Sequence, residues 1–456
     1  MRLIFTLLLA TSLSVTGNAR IFYLAPGGSD NNAGTIASPW YSLNRAWSVV
    51  SAGDTIYLRG GTYAYTQQTF GYMVGKNGTS ANRITIKNYP GETPVLSKGT
   101  GYTNNNEHWR GGCYLDGDYI TIKGLHFAGY TQADNFVWSG LFINSSNNVI
   151  VELCQFYNNG GGLILEGAST NNLFLNCDAY NNRDPNTGYG NADGISMKFI
   201  SAGSTNTVRG CRAWENSDDG FDFFDNNGYV LVENCWAWRN GFIPYTTSQG
   251  GNGEGFKLGS TNSFPSTVLR KLTNCIAFKN RQSGIHQQES QCLTQLYNNT
   301  VWDNGWDGVN FHYLNLPHTF INNLSFDNDI AQVQVSGNST NTTNSAGTGT
   351  NDGGWTVNVT AADFITLDTT GISGARGADG SLPVINFLRL ASGSDLVDAG
   401  TNVGIGFNGT APDKGAFEAG GAAPPPANQP PVANAGTDRT ITLPTNTVTL
   451  NGSGSD

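Results

Sequence analysis

Charged side chains are scarce. They make up 13% of the 456 residues. The Lys/Glu-rich profile of a helical bundle is therefore absent. What charge exists sums to −10, and no basic stripe appears, so the electrostatic footprint of a nucleic-acid binder is missing. Long apolar runs are also missing. The run from Leu3 to Ala10 follows Arg2 and leads to the small residues Gly17-Asn18-Ala19. It is too short to span a bilayer. It reads as a secretory signal over residues 1–19. The expectation is a secreted, extracellular monomer with neither nucleic acid nor membrane as partner. No Cys/His cluster suggests zinc. The seven Cys are odd in number, and a disulfide framework would be the usual first reading for a secreted chain. Their positions argue against it.

Glycine is abundant at 59, and Asn is frequent. Such a composition suits an all-β protein with many turns. Ile21 to Gly28 reads as a first strand and turn. Leu43, Ala46, Trp47 and Val50 fall at helical spacing, and Asp54 to Leu58 reads as the next strand. A short amphipathic helix there would cover the open end of a solenoid, whose backbone edge needs a cap.

From about residue 120 an internal repeat emerges. Its mark is an Asn preceded by an aromatic residue: Asn159, Asn182, Asn216, Asn240, Asn280, Asn304 and Asn328. Successive spacings are 23, 34, 24, 40, 24 and 24. A unit in the twenties, built from short strands and turns, signals stacked coils. The Leu-x-x-Leu-x-Leu pattern of leucine-rich repeats is absent, so a right-handed parallel β-helix fits better. Five residues ahead of each marker lie Cys154, Cys177, Cys211, Cys235 and Cys275, then Asn299 and Asn323. One register holds five of the seven Cys, which should stack inside as small apolar residues. A disulfide between adjacent coils stays open. The Asn register should form a ladder of amides at a turn.

Past about 330 the repeat mark is lost, and Ser336 to Gly354 reads as a surface excursion. Asp363-Phe364, Leu388 and Leu390 suggest a last packed layer. The catalytic body then covers residues 20–419. Residues 420–431 form a Pro/Ala/Gly linker, and 432–456 resemble the opening strands of a polycystic-kidney-disease-type immunoglobulin-like module, truncated before it could bury a core.

Three stretches carry the chemistry: Asn191-Ala192-Asp193-Gly194-Ile195-Ser196-Met197-Lys198, Ser217-Asp218-Asp219-Gly220-Phe221-Asp222-Phe223-Phe224 and Gly253-Glu254-Gly255-Phe256-Lys257-Leu258-Gly259. Each has a carboxylate, a Gly and an apolar residue. Aligned on that Gly, the next position is Ile195, Phe221, Phe256, Ile285 and Val309, all apolar. The one after is Ser196, Asp222, Lys257, His286 and Asn310, all polar. Strand alternation turns the first set inward and the second outward. Asp193, Asp218, Asp219 and Asp222 then gather on one face beside Lys257. Four carboxylates that close repel unless protonated or bound to a cation. Hard oxygen ligands at this density suit Ca²⁺ better than Mg²⁺. Two insertions, Arg183 to Asn191 and Gly241 to Gly253, fall just before the Asp193 and Glu254 strands and would wall a cleft.

These motifs resemble, in order and spacing, those of the family 9 polysaccharide lyases. The resemblance covers roughly residues 20–420. It implies a calcium-dependent pectate lyase that cleaves α-1,4-linked polygalacturonate, an acidic plant cell-wall polysaccharide, by β-elimination. It also implies Asp193, Asp218, Asp219 and Asp222 as calcium ligands and Lys257 as the Brønsted base. Ile195-Ser196-Met197 and Glu254 depart mildly from the usual pattern. His286, Asn310, Glu254 and Arg281 are candidates for binding substrate, with Arg183 and Arg239 as further guanidinium candidates. Three alternatives remain open at this point: a related uronan lyase of rhamnogalacturonan type, an inverting glycoside hydrolase using paired carboxylates, and a non-catalytic carbohydrate-binding solenoid with Trp214, Trp238 and Trp302 as sugar platforms.

Overall fold

The structure, a computed structural model, describes residues 19–103, 112–132, 135, 138–259, 267–288, 290–313 and 315–420, together with the short stretches 433–434 and 453–454. The signal reading, the linker and the terminal module therefore lie almost wholly outside the described residues. Ala433–Asn434 pairs antiparallel with Ser453–Gly454. No described helix is long and apolar enough to cross a membrane.

Three parallel sheets of twelve, twelve and eleven described strands make up the body. One coil shows how they are built. Ile150–Glu152 lies in the first sheet, Gln155–Tyr157 in the second and Gly161–Gly167 in the third. The chain then returns to the first sheet at Asn172–Leu175. The all-β parallel helix expected from the period is what forms. Apolar residues point into a single core running the length of the stack, with Phe127, Phe156, Phe174, Phe221 and Phe256 among its fully buried members.

The corners explain the repeat. Between the first and second sheets, one residue per coil takes the left-handed conformation: Leu153, Asn176, Asn234, Asn274, Asn298 and Asn322 all have φ between 53° and 60°. Asn tolerates this conformation better than most L-residues, since its short side chain bonds locally. The next residue points inward, and there stand Cys154, Cys177, Cys211, Cys235 and Cys275. All seven Cys are free and buried. At Asn299 the column changes chemistry. Asn299 Nδ2 donates to Asn323 Oδ1 at 2.9 Å, and Asn323 Nδ2 to Asn344 Oδ1 at 2.9 Å. A stack of small thiols thus continues as an amide ladder.

The second corner carries the expected marker ladder. Asn182, Asn216, Asn240 and Asn280 each pass Nδ2 to the Oδ1 of the next coil's Asn, at 2.8, 3.0, 2.9 and 3.0 Å. The left-handed residue just before each is Asn181, Glu215, Arg239 or Lys279.

The N-terminal helix spans Leu43–Val49. Ser42 caps it, accepting the Arg45 N–H, and Leu43, Ala46 and Trp47 are buried in the main core. The expected lid is present. The far end corrects the sequence reading. Residues 336–354 are not merely a surface excursion, because Thr340–Thr342, Ser345–Ala346 and Thr350–Asn351 add another coil and Asn344 extends the corner ladder. Gly347 stands opposite Phe326, where earlier coils carry the aromatic marker, so the coil was invisible to a search for it.

The packed layer expected from Phe364, Leu388 and Leu390 forms, and it lies along the side of the stack. It wraps the outer face of the second sheet, where Phe364, Phe387, Leu388, Leu390, Leu396 and Phe417 bury Trp236, Trp238, Ile276, Phe278 and Trp302. Arg376 anchors it across 198 residues to Asp178 at 2.6 Å.

Candidate active site

The third sheet brings the three motif stretches onto consecutive rungs. Ser196 pairs with Asp222, Asp222 with Lys257, Lys257 with His286 and His286 with Asn310. Their neighbours Ile195, Phe221, Phe256, Ile285 and Val309 sit in the core. Turned away from that core, the polar column still has little contact with water: Asp222 is 1% exposed and Lys257 7%.

The 241–253 insertion lies over the carboxylates beside that column. Gly251 N–H reaches Ser217 O at 2.6 Å, Asn252 N–H reaches Asp218 Oδ1 at 2.7 Å, and Glu254 N–H reaches Asp219 Oδ1 at 2.7 Å. Gly251 approaches so closely that a Cβ there would lie 2.3 Å from Asp218 Oδ1 and 2.6 Å from Tyr189 O. Tyr189 belongs to the earlier insertion, so the two loops meet over the carboxylates. Two of the three guanidinium nitrogens of Arg281 are committed to the 241–253 loop, and its Nε is buried without a partner. Its guanidinium holds the loop, donating to Gly251 O, Asn252 O and Gln249 Oε1.

Asp193, Asp219 and Asp222 each offer an oxygen within 4.8 Å of the others. Asp218 stands beside this triad, with one oxygen engaged by Asn252. Lys257 Nζ lies 3.0 Å from Asp219 Oδ2 and 3.8 Å from Asp222 Oδ2. A second ammonium also enters, unassigned by the sequence reading. Lys198 Nζ lies 2.6 Å from Asp193 Oδ2 and 2.8 Å from Asp222 Oδ2. The signal was present, since Lys198 falls two positions after Ser196 on the same alternating strand.

Electrostatics follow from burial. Desolvation, then the Asp222 and Asp219 charges, push Asp193 up to about 7 against the pull of Lys198. Burial drives Asp218 and Asp219 well above the usual carboxylate range. Asp222 alone is held low: burial opposes it, but Lys198 and Lys257 prevail. Burial would lower Lys257, yet Asp219, Asp222, Asp218 and Glu254 together raise it well above an ordinary lysine. A divalent cation suits this array. The oxygens are hard and convergent, and Asp193 Oδ1 is buried with no hydrogen-bond partner.

Further along the column, Glu254 Oε1 meets His286 Nδ1 at 2.9 Å, and the His286 ring stacks on Tyr313 with centroids 5.9 Å apart. His286 Nε2 is buried without a partner. Asn310 is engaged with Asp307 at 2.5 Å and His312 at 2.6 Å. Arg183 is exposed, and Arg239 pairs with Glu215 at 3.2 Å on the surface.

Trp214 and Trp238 offer no sugar platform, and Trp302 packs against Phe387 with ring centroids 5.5 Å apart. From Tyr157 through Tyr180, Trp214 and Trp238 the rings stack on one another at 5.1, 4.4 and 4.8 Å, nearly parallel, so their faces are consumed by neighbours.

Comparison with known proteins agrees with this architecture. Residues 22–328 match the family described as "Pel9A-like, right handed beta helix region". A protein named pectate lyase L from Dickeya dadantii (strain 3937) is 34% identical over 88% of this chain and 90% of its own length. The crystal structure of pectate lyase Pel9A is 32% identical, with a TM-score of 0.73 over 88% of this chain and 97% of that one. A structure titled rhamnogalacturonan lyase is 26% identical, with a TM-score of 0.69 over 82% and 97%. The chain therefore belongs to the Pel9A-like right-handed β-helix family, the family 9 polysaccharide lyases whose motifs its sequence carries.

Proposed function

We propose that this protein is a secreted, calcium-dependent pectate lyase that cleaves polygalacturonate by β-elimination, with Lys257 as base. The observation that carries the reading is one lysine buried on the rung beside a convergent carboxylate triad, 3.0 Å from its nearest member. Asp193, Asp219 and Asp222 would hold the cation, with Asp218 beside them. Bound there, calcium supplies charge neutralisation of the substrate carboxylate, which acidifies the adjacent C5 proton. Lys257 takes that proton at Nζ. The C5–H bond breaks, the C4–C5 double bond forms, and the C4–O bond opens with its electrons on the leaving oxygen, which is then protonated.

Lys257 must be neutral to act, and its unperturbed value of about 10.4 lies far from neutrality. In the carboxylate array alone it is held higher still. Sharing those carboxylates with a divalent cation cancels the charge that keeps the ammonium protonated. Activity should therefore rise with pH into the alkaline range. The working protein is read as an extracellular monomer acting on an acidic polysaccharide. With a net charge of −10 the chain as a whole repels such a polyanion, so a bound cation also corrects the local field.

The test is the ultraviolet absorbance of the 4,5-unsaturated product on polygalacturonate, with and without chelator. Chelator should abolish the signal, and Lys257→Ala should lower kcat by roughly 10²–10⁴-fold. Full activity of Lys257→Ala would sink the lysine-base reading. Running rhamnogalacturonan in parallel separates the two uronan substrates suggested by the structural relatives. Reducing ends without absorbance would instead favour hydrolysis.

A further inference from the structure

Lys198 touches the same oxygens that a metal would need. It sits near the end of the Ile195–Ile200 strand, and alternation from Ser196 places it on the polar side of the sheet. Its Nζ bridges two different rungs, 2.6 Å from Asp193 and 2.8 Å from Asp222. Both carboxylates belong to the triad. An ammonium and a divalent cation cannot both occupy that gap.

We propose that Lys198 is an internal placeholder cation, which keeps the carboxylates together before metal arrives and withdraws when metal binds. The proposal rests on the calcium reading above. Its first support is the like-charge problem. Asp193 and Asp222 are buried on adjacent rungs and would repel with nothing between them. Lys257 does not serve that purpose for Asp193, since its close contacts are with Asp219 and Asp222. The second support is the side chain itself. Lysine is a compact charge on a flexible four-carbon stem, able to give up two oxygens in one rotation where a bidentate guanidinium would not.

The third support is the direction of exit. Inward lie Met197 and Phe221, both fully buried in the core. The Lys198 side chain retains 12% exposure, so its free path leads outward to the cleft. Once displaced, the ammonium stands where a carboxylate of an acidic polysaccharide arrives. Metal entry and polyanion binding then favour each other, because one act frees the charge that the other uses.

The experiment compares the chelator-stripped full-length wild type with Lys198→Met and Lys198→Arg by calorimetric titration with calcium. Lys198→Met should bind calcium on the order of tenfold more tightly, within the usual range for coupled sites. Its KM for polygalacturonate should nonetheless rise. Lys198→Arg should bind calcium no more tightly than wild type. Equal or weaker calcium binding by Lys198→Met overturns the placeholder role. Absence of any calcium heat in the wild type overturns the calcium reading itself, so the two failures are distinguishable. A measurement on the wild type covers the case in which a variant does not fold. Reductive methylation followed by mass spectrometry should find Lys198 protected in chelator and reactive with calcium, and identical reactivity in both states overturns the proposal.

Discussion

Two lysines share one set of carboxylates at the centre of the cluster, and each meets a different pair of them. Lys257 lies next to Asp219 on the polar column, while Lys198 is clamped between Asp193 and Asp222. A third titratable group, His286, has a sign that can be tested directly. Burial, aided by Lys257, lowers it to about 4, and burial alone lowers His318 to about 4. The unfolded chain protonates first, near 6.5. The stability these histidines contribute is therefore whole above about 6.5 and is lost as pH falls toward 4. Melting temperatures across that window should drop more steeply for wild type than for a His286→Asn/His318→Asn variant; parallel profiles would contradict the assignment. At this scale the sequence was informative about which residues converge, because period-two alternation places Asp222, Lys257, His286 and Asn310 without any structure. It was silent on what covers them. Both terminal guanidinium nitrogens of Arg281 turn to the 249–252 loop, and no local pattern foretells the path of an inserted loop.

At the level of elements, the corners do more than turn the chain. Each ladder Asn satisfies groups on both neighbouring coils. Asn240 accepts from Asn216 Nδ2 at 3.0 Å and donates to Ala213 O at 3.1 Å and Asn280 Oδ1 at 2.9 Å. Its loss strands several buried groups at about 1–3 kcal/mol each. Cys235 occupies an equally buried corner but mainly fills space, and truncating it should cost roughly 1 kcal/mol. Asn240→Ala should therefore lower the melting temperature several times more than Cys235→Ala, and the reverse order would show that the ladder is ornamental. The same corners made the fold legible. A turn that repeats in space demands the same residue type at every pass, so its Asn and Cys registers printed the 23–24-residue period on the sequence. The last coil escaped notice for the complementary reason. Its strands are short, its core position is Ala346, and only Asn344 carries the mark. The wrapping of residues 360–417 along the second sheet was equally hidden, since that segment has no period to read.

For the molecule as a whole, cohesion comes from stacking and not from cross-links. All seven Cys are free and buried. Reducing agent should leave the melting temperature unchanged, and a thiol reagent should label the protein only on unfolding. A drop in melting temperature with reductant would reveal a bridge. The order of strands in the third sheet carries a last consequence. The strand that follows Asp193 and the strands bearing Asp222, Lys257 and His286 lie in its middle, with several described coils on either side. The end coils of a solenoid have a stacked neighbour on one side only, so the stack frays from its ends. Hydrogen exchange should therefore be slowest near residues 195–286 and faster toward both termini. The carboxylate cluster sits at the point of the stack that opens last, so a partly frayed molecule still holds it together.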